Sequence, residues 1–397
     1  MISLWSSVRD RAGGEPNGRV FISLLLLGLG TSAGAQPVAF PDDSGVVNVT
    51  NWSSDPALLA IPDDGIDDTA AIQAALDAFR GTKAIVYLPD GVYDLSDSLV
   101  YKPAGPGALA VRTVMQGQSR DGVVLKLNDN LTRSDGSAFD GAILTMGGGS
   151  ADYFQNVVRN LTFNTGSGNA SASGLEFNAS NQGTARDLRI VSGDGAGHIG
   201  LDLGYADNIG PLLVKDVVVE GFDTGIRSQS QANSKVFEDV VVRNQNVAGL
   251  ENSSTSTIQV RNFRSENDVP AITNSFPIGN TDPGNPGNGR LILIDAELVG
   301  AGGASLTSPA IINANGNSAP KLYARNVQIE NYDLAVSSPQ QTAQGNRSIR
   351  TDFIEEYWHN GTAGNSNKGG AFQLFDNTPD TGLGLAVRET PDSPIDN

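Results

Sequence analysis

Four charged residues each stand directly after a Leu or Ile that itself follows Gly. They lie in Gly174-Leu175-Glu176-Phe177, Gly200-Leu201-Asp202-Leu203, Gly225-Ile226-Arg227-Ser228 and Gly249-Leu250-Glu251-Asn252. Paired carboxyls are the equipment of a glycosidase, about 5–5.5 Å apart for retention of configuration and about 6.5–9.5 Å for inversion. An Arg among them would orient substrate or stabilise charge, and this chemistry needs no cofactor. A lyase would use the same residues differently. Its carboxylates hold calcium against a uronate, and the Arg removes the proton beside the carboxyl. A plainer reading is that charges on an exposed strand face pair across neighbours and keep the protein in solution.

The stretches around these residues are polar and suit hydroxyl groups. They run over residues 164–173, 192–198, 205–208 and 228–234. Within them Asp194, His198, Tyr205 and Asp207 are candidates for holding substrate. His198 is one of only two His in the chain, and a loop hydrogen bond competes with a catalytic role for it.

A repeat shows which elements would bring these residues together. Seven times between about residues 157 and 336, a short apolar strand meets Asn or Asp and a second apolar strand follows directly, as in Leu213-Val214-Lys215-Asp216-Val217-Val218-Val219. The Asx positions are 160, 187, 216, 239, 262, 295 and 326, in steps of 27, 29, 23, 23, 33 and 31 residues. Asn and Asp tolerate the left-handed backbone better than other non-glycine residues, which suits a one-residue corner. The Gly before each third strand is expected to do the same. Three short strands per step, with apolar and polar residues alternating, describe one coil of a solenoid. An all-β sandwich has similar turn signals but gives no reason for Asx to return at the same corner.

Val123–Leu127 and Ala142–Met146 read as two earlier rungs, giving about nine in all. At ordinary strand spacing the coil is then ~40 Å long. Parallel coils set equivalent residues in columns. Glu176, Asp202, Arg227 and Glu251 therefore point outward on four consecutive rungs, Glu176 and Asp202 one rung apart and Asp202 and Glu251 two.

Upstream of the coil, Ile72, Ala75, Leu76 and Phe79 form one apolar stripe at helical spacing. Asp67 or Asp68 caps this helix, and Gly81 stands where it stops. The cluster Asp63, Asp64, Asp67 and Asp68 reads as capping and turn chemistry in preference to a calcium loop. The run Asp64-Gly65-Ile66-Asp67-Asp68-Thr69-Ala70-Ala71-Ile72-Gln73, followed by Val86-Tyr87-Leu88-Pro89-Asp90-Gly91-Val92-Tyr93, resembles the opening signature of the pectate lyase superfamily. The most similar branch includes rhamnogalacturonases, epimerase-like proteins and tailspike-like depolymerases. With the ladder, the resemblance covers about residues 55–340. It implies an all-β chain, a right-handed parallel β-helix whose open N-terminal end is covered by this helix and strand. It also implies an active site on the coil's outer face, walled by loops.

Gly197-His198-Ile199-Gly200 resembles a stretch of polygalacturonases, but their other hallmarks are out of place. Their N-T-D triplet occurs only as Asn280-Thr281-Asp282, on the wrong side of His198. The basic cluster of calcium pectate lyases is missing as well.

The formal net charge is −18, which argues against nucleic acid as a partner. It also makes a strongly anionic polymer an awkward one unless a cation bridges the two. Residues 20–30 form an apolar run behind Arg19, and Ala33-Gly34-Ala35 follows, so 1–35 reads as a signal peptide cleaved before Gln36. The run is too short to span a bilayer, so no membrane insertion is expected after cleavage and the protein is secreted or periplasmic. With no Cys, the chain does not rely on disulfides.

The expected organisation is a signal peptide over 1–35, a capping unit over 36–105, the β-helix over 106–338, and a C-terminal cap and tail over 339–397. In the tail, Phe353 to His359 is the most aromatic-dense stretch. Capping is the expected use of Tyr357 and Trp358, with a sugar platform as the competing one. The expected partner is a polysaccharide or oligosaccharide, and no oligomeric state is implied. Hydrolysis stands ahead of the lyase reading, and a non-catalytic glycan-binding or surface-structural solenoid is the alternative.

Overall fold

The computed structural model describes residues 40–41, 43–101, 112–148, 153–206, 208–229, 234–275, 290–302, 307–313, 320–338, 348–360 and 372–375. The expected leader over 1–35, Asp207, Asn280-Thr281-Asp282 and the tail beyond Phe375 lie outside the described residues. In chain order the first elements are β1 (Val46–Asn48), α1 (Thr69–Ala78), β2 (Ile85–Leu88), β3 (Gly91–Leu95), β4 (Leu99–Tyr101), β5 (Val114–Gly117), β6 (Val123–Leu127) and β7 (Ala142–Met146). Next come β8 (Val157–Asn164), β9 (Ser173–Phe177), β10 (Gly183–Val191), β11 (Gly197–Leu203), β12 (Leu212–Glu220), β13 (Phe222–Ser228), β14 (Lys235–Arg243) and β15 (Ala248–Asn252). The last are β16 (Thr257–Glu266), β17 (Ile272–Asn274), β18 (Arg290–Val299), β19 (Pro309–Asn313), β20 (Lys321–Glu330), β21 (Leu334–Ser337), β22 (Phe353–Asn360) and β23 (Phe372–Phe375).

These strands build two long sheets. Sheet A runs β1-β2-β5-β8-β10-β12-β14-β16-β18-β20, with β22 and β23 added antiparallel at its end. Sheet B runs β4-β7-β9-β11-β13-β15-β17-β19-β21, so the described residues make nine turns of a parallel β-helix.

The Asx corners explain how two sheets make three faces. Asn160, Asp187, Asp216, Asp239, Asn262, Asp295 and Asn326 all have φ between 52° and 57°. Each sits inside a long strand of sheet A, and the ladder steps over it: Arg186 pairs with Lys215 and Leu188 with Val217. One left-handed residue thus turns the chain without ending the sheet. The corners also bond to one another, Asn262 Nδ2 donating to Asp239 Oδ1 at 2.6 Å and Asn326 Nδ2 to Asp295 Oδ1 at 2.7 Å.

The core is a set of stacks, one from each face. Leu144, Leu175, Leu201, Ile226, Leu250, Ile272, Ile311 and Val336 follow one another in register on sheet B and are fully buried. Val158, Ala185, Val214, Phe237, Val260, Leu293 and Ala324 do the same on sheet A. Each large member contributes about 1.5–3 kcal/mol by leaving water.

Two expectations need correction. The glycines before the third strands, Gly174, Gly200, Gly225 and Gly249, are not left-handed. A Cβ at each would stand 2.5–2.7 Å from the carbonyl oxygen of the next rung, so these positions are glycine because backbones meet there. Val123–Leu127 and Ala142–Met146 are also not two rungs. They are β6 in sheet A and β7 in sheet B, parts of one turn. The missing turn is supplied by β2, β3 and β4, from the stretch expected only to cap. These early turns make their corners with the loops after Leu88 and Gly117, so no single Asx marks them.

α1 lies against the edge of β4, the first strand of sheet B. Gln73 Nε2 donates to the Val100 carbonyl at 2.9 Å, and Gln73 Oε1 accepts from the Val100 amide at 2.8 Å. The aspartates before the helix do turn chemistry. Asp64 accepts from the Ile66 amide, Asp67 from Thr69 and Ser96, and Asp68 from Ile61. At the other end β22 pairs antiparallel with β20 and buries Ile354, Tyr357 and His359.

A second polar element is hidden inside the coil. Asn252, Asn274 and Asn313 are completely buried and in register. Asn252 Nδ2 donates to Asn274 Oδ1 at 2.8 Å, and Asn274 Nδ2 to Asn313 Oδ1 at 2.7 Å.

Candidate functional site

The register of sheet B aligns the four charged residues. Glu176 pairs with Asp202, Asp202 with Arg227, and Arg227 with Glu251, on β9, β11, β13 and β15. In each strand the inward neighbours fill the core and the charge faces out. Thr145 precedes the column on β7 and Thr273 follows it on β17.

Their surroundings differ sharply. Asp202 was expected in the open, yet it is only 2% exposed. Arg227 grips it with two hydrogen bonds, Nε to Oδ1 at 3.0 Å and Nη2 to Oδ2, and the Gly204 amide donates to Oδ1 at 2.7 Å. The guanidinium is held above its ordinary range. Burial alone would lower it, and the bond and charge of Asp202 outweigh that, with help from Glu251 and Glu176. Glu176 is half-buried and accepts from Thr145 Oγ1 at 2.7 Å. Glu251 is half-buried on the far side of Arg227.

Tyr205 covers the column. It follows β11, and its hydroxyl reaches back two rungs to donate to the Met146 carbonyl at 3.1 Å. Burial, then the charges of Glu176 and Asp202, hold its phenol well above the usual range. It is therefore a protonated donor beside both carboxylates.

The other candidates fall elsewhere. Asp194 belongs to its own loop, accepting from the Gly168 amide at 2.6 Å, the Ala196 amide at 3.1 Å and Ser192 Oγ at 3.0 Å. Those bonds, the Gly168 one first, hold its carboxyl below the usual range. His198 lies at the start of β11 and is exposed, with Nδ1 3.9 Å from Asp223 Oδ2. It is four residues from Asp202, about 13 Å along the strand. Asp207 lies outside the described residues. The residues that sequence reasoning missed are Thr145 and Gly204, whose roles depend on which rung and which loop meet the column.

The calcium reading does not fit these side chains. Both oxygens of Asp202 are taken, and the cationic Arg227 separates it from Glu251. Among the described residues no group of three or more His, Cys, Asp or Glu is placed to hold a metal ion.

Residues 58–272 match the family described as Rhamnogalacturonase A/epimerase, pectate lyase-like. The chain belongs to this family. The match to the Rhamnogalacturonase A/epimerase family begins before α1 and ends in β17, so it contains the whole charged column. No curated protein matches the chain. Among solved structures, the A-module of the Azotobacter vinelandii mannuronan C-5 epimerase AlgE6 is similar at 16% identity, over 73% of this chain and 87% of that one, with a TM-score of 0.47. The catalytic unit of a GH87 α-1,3-glucanase from Streptomyces thermodiastaticus is similar at 14% identity, over 79% and 71%, with a TM-score of 0.41. Pectin methylesterase PemA from Erwinia chrysanthemi is similar at 14% identity, over 64% and 79%, with a TM-score of 0.39. The three carry different activities.

Proposed function

We propose that this protein cleaves a polysaccharide by glycoside hydrolysis on the outer face of sheet B, with Glu176 as general acid and Asp202 as the anion beside it. The observation that carries this reading is the register of Glu176 against Asp202 with Arg227 clamped on Asp202. Adjacent rungs are about 4.8 Å apart, close to the about 5–5.5 Å of retaining enzymes. A pair of carboxyls works when their environments differ. Here Asp202 is clamped by a guanidinium and oriented to stabilise positive charge developing on a sugar ring, while Glu176 accepts a hydrogen bond from the Thr145 hydroxyl on β7. Tyr205, whose hydroxyl proton goes to the Met146 carbonyl, would keep water from the pair. Glu251 is three rungs from Glu176, about 14 Å and outside either carboxyl range, so its part is binding.

Three carboxylates against one guanidinium leave the column anionic, which favours a neutral glycan over a uronate. Export by the leader is part of the same proposal. No helix among the described residues is long and apolar enough to cross a membrane.

One observation favours a second reading, a solenoid that binds glycan without turnover: Asp202 is buried with both oxygens bonded. Reducing-end release and ultraviolet-absorbing unsaturated products, measured on a polysaccharide panel with and without chelator, separate the readings. Hydrolysis predicts reducing ends, no unsaturated product and no effect of chelator. Binding without turnover on the whole panel supports the second reading.

A further inference from the structure

The outer face of sheet A carries a feature of different chemistry near its C-terminal end. Ile292 on β18, Tyr323 on β20 and Trp358 on β22 are in register on three neighbouring strands. Their flanking residues Leu291, Leu293, Leu322, Ala324, Tyr357 and His359 are buried, so all three side chains face outward. Trp358 is 37% exposed, an unusual state for so large an apolar surface. Tyr323 is fixed by its hydroxyl, which donates to Glu356 Oε1 at 3.0 Å. Two residues along the same face stand two cations in register, Arg290 and Lys321. Arg290 is exposed and makes no ion pair among the described residues. Together these residues line a cavity of about 330 Å³, at the lower end of the about 300–1,000 Å³ of small-ligand sites.

We propose that this cleft is a second carbohydrate site, and that it takes an anionic sugar such as a uronate unit of an oligosaccharide. Aromatic side chains with a polar edge offer an apolar body to one face of a sugar ring. A guanidinium beside them matches a carboxylate with two parallel hydrogen bonds. Lys215 on the same face is already neutralised, lying 2.9 Å from Glu238 and 3.0 Å from Asp239. In a chain of net charge −18, an aromatic cleft whose rim Arg has no ion pair among the described residues is complementary to an anion. The site lies on a different sheet from the charged column and does not depend on what that column does.

The test is calorimetric titration of the full chain with tetragalacturonate and with cellotetraose. The proposal expects tetragalacturonate to bind, and Trp358→Ala and Arg290→Gln each to weaken it about tenfold or more. Trp358→Ala lowers any cellotetraose binding at this site, whereas Arg290→Gln leaves it unchanged. Raising salt from about 50 to about 500 mM weakens only the acidic sugar. Glu176→Gln leaves tetragalacturonate affinity unchanged, which separates this site from the column. Absence of tetragalacturonate binding, equal binding of both sugars, or affinity unaltered by Arg290→Gln overturns the proposal. Arg290 is exposed, so that last variant reads the site even if Trp358→Ala disturbs the fold.

Discussion

Arg227 on β13 closes a two-point grip on Asp202 of β11, with Nε 3.0 Å from Oδ1 and Nη2 on Oδ2, and this pair divides the charged column into two unequal parts. Glu176 lies on the side covered by Tyr205, and Glu251 lies on the other. The grip gives Asp202 a fixed orientation at the cost of its contact with solvent.

Asp202→Asn is expected to cost stability as well as activity. The guanidinium would keep a carbonyl partner but lose its counter-charge. Breaking one side of a buried pair costs about 3–5 kcal/mol, and with Arg227 partly exposed the figure falls to about 1–3 kcal/mol. Arg227→Met leaves the more deeply buried Asp202 unpaired and costs more. Denaturant unfolding of the two single variants and the double variant measures the coupling. Single-variant losses that simply add in the double variant would show that the pair is not coupled.

Gly200→Ala places a Cβ 2.7 Å from the Gly225 carbonyl oxygen and closer still to Val219. Backbone on the next rung has little room to yield, so a loss of about 1–3 kcal/mol or more is expected. Ala at Gly136, where nothing lies within 4 Å, is the control for space, although its positive φ of 83° carries a backbone cost of its own. Thermal melts of both variants make the comparison, and a Gly200→Ala melt unchanged from wild type would contradict the close-approach account.

Asn274→Ala removes the middle of the internal amide ladder. It strands a donor on Asn252 and an acceptor on Asn313 away from water. Each unsatisfied buried group costs about 1–3 kcal/mol, so this substitution should destabilise more than Thr273→Ala next to it on the outer face. Equal melting temperatures for the two would show that the ladder is dispensable.

Lys235 begins β14 fully buried, with no hydrogen-bond partner for Nζ among the described residues. Burial pushes the ammonium down to about 7. The unfolded chain, with an ordinary Lys at about 10.4, then holds the extra proton between pH 7 and 10. Stability should therefore rise with pH across that window and be lowest below 7. Lys235→Met is expected to raise the melting temperature at pH 7 and to flatten the rise toward pH 10. A wild-type melting temperature that does not climb from pH 7 to pH 10 would show that the amine is not held neutral by burial.

What the sequence disclosed follows from what is local in each feature. The Asx corners were legible because a left-handed φ is a property of one residue, and all seven positions adopt it. The register followed from the corners, so Glu176, Asp202, Arg227 and Glu251 align as expected. Pairing of Arg227 with Asp202 across rungs was the plainer reading of the column, but the burial of Asp202 was not legible. It depends on a loop, residues 204 to 206, folding back over the column, and no periodicity encodes that. The early turns were misassigned because their corners are loops. Tyr357 and Trp358 are adjacent in sequence, but strand parity sends one into the core and the other into a cleft. The internal Asn ladder did leave a signal, since Asn252, Asn274 and Asn313 end successive strands of sheet B.

The most direct test of the central claim is the rate of reducing-end release from a polysaccharide panel by wild type and Glu176→Gln, with melting curves recorded on both. The account predicts measurable release by wild type on at least one neutral glycan. It predicts a loss of about 10²–10⁴-fold in Glu176→Gln, the usual worth of a general acid, with the melting temperature little changed. Glycan binding by wild type without any release, or full activity in Glu176→Gln, would contradict it.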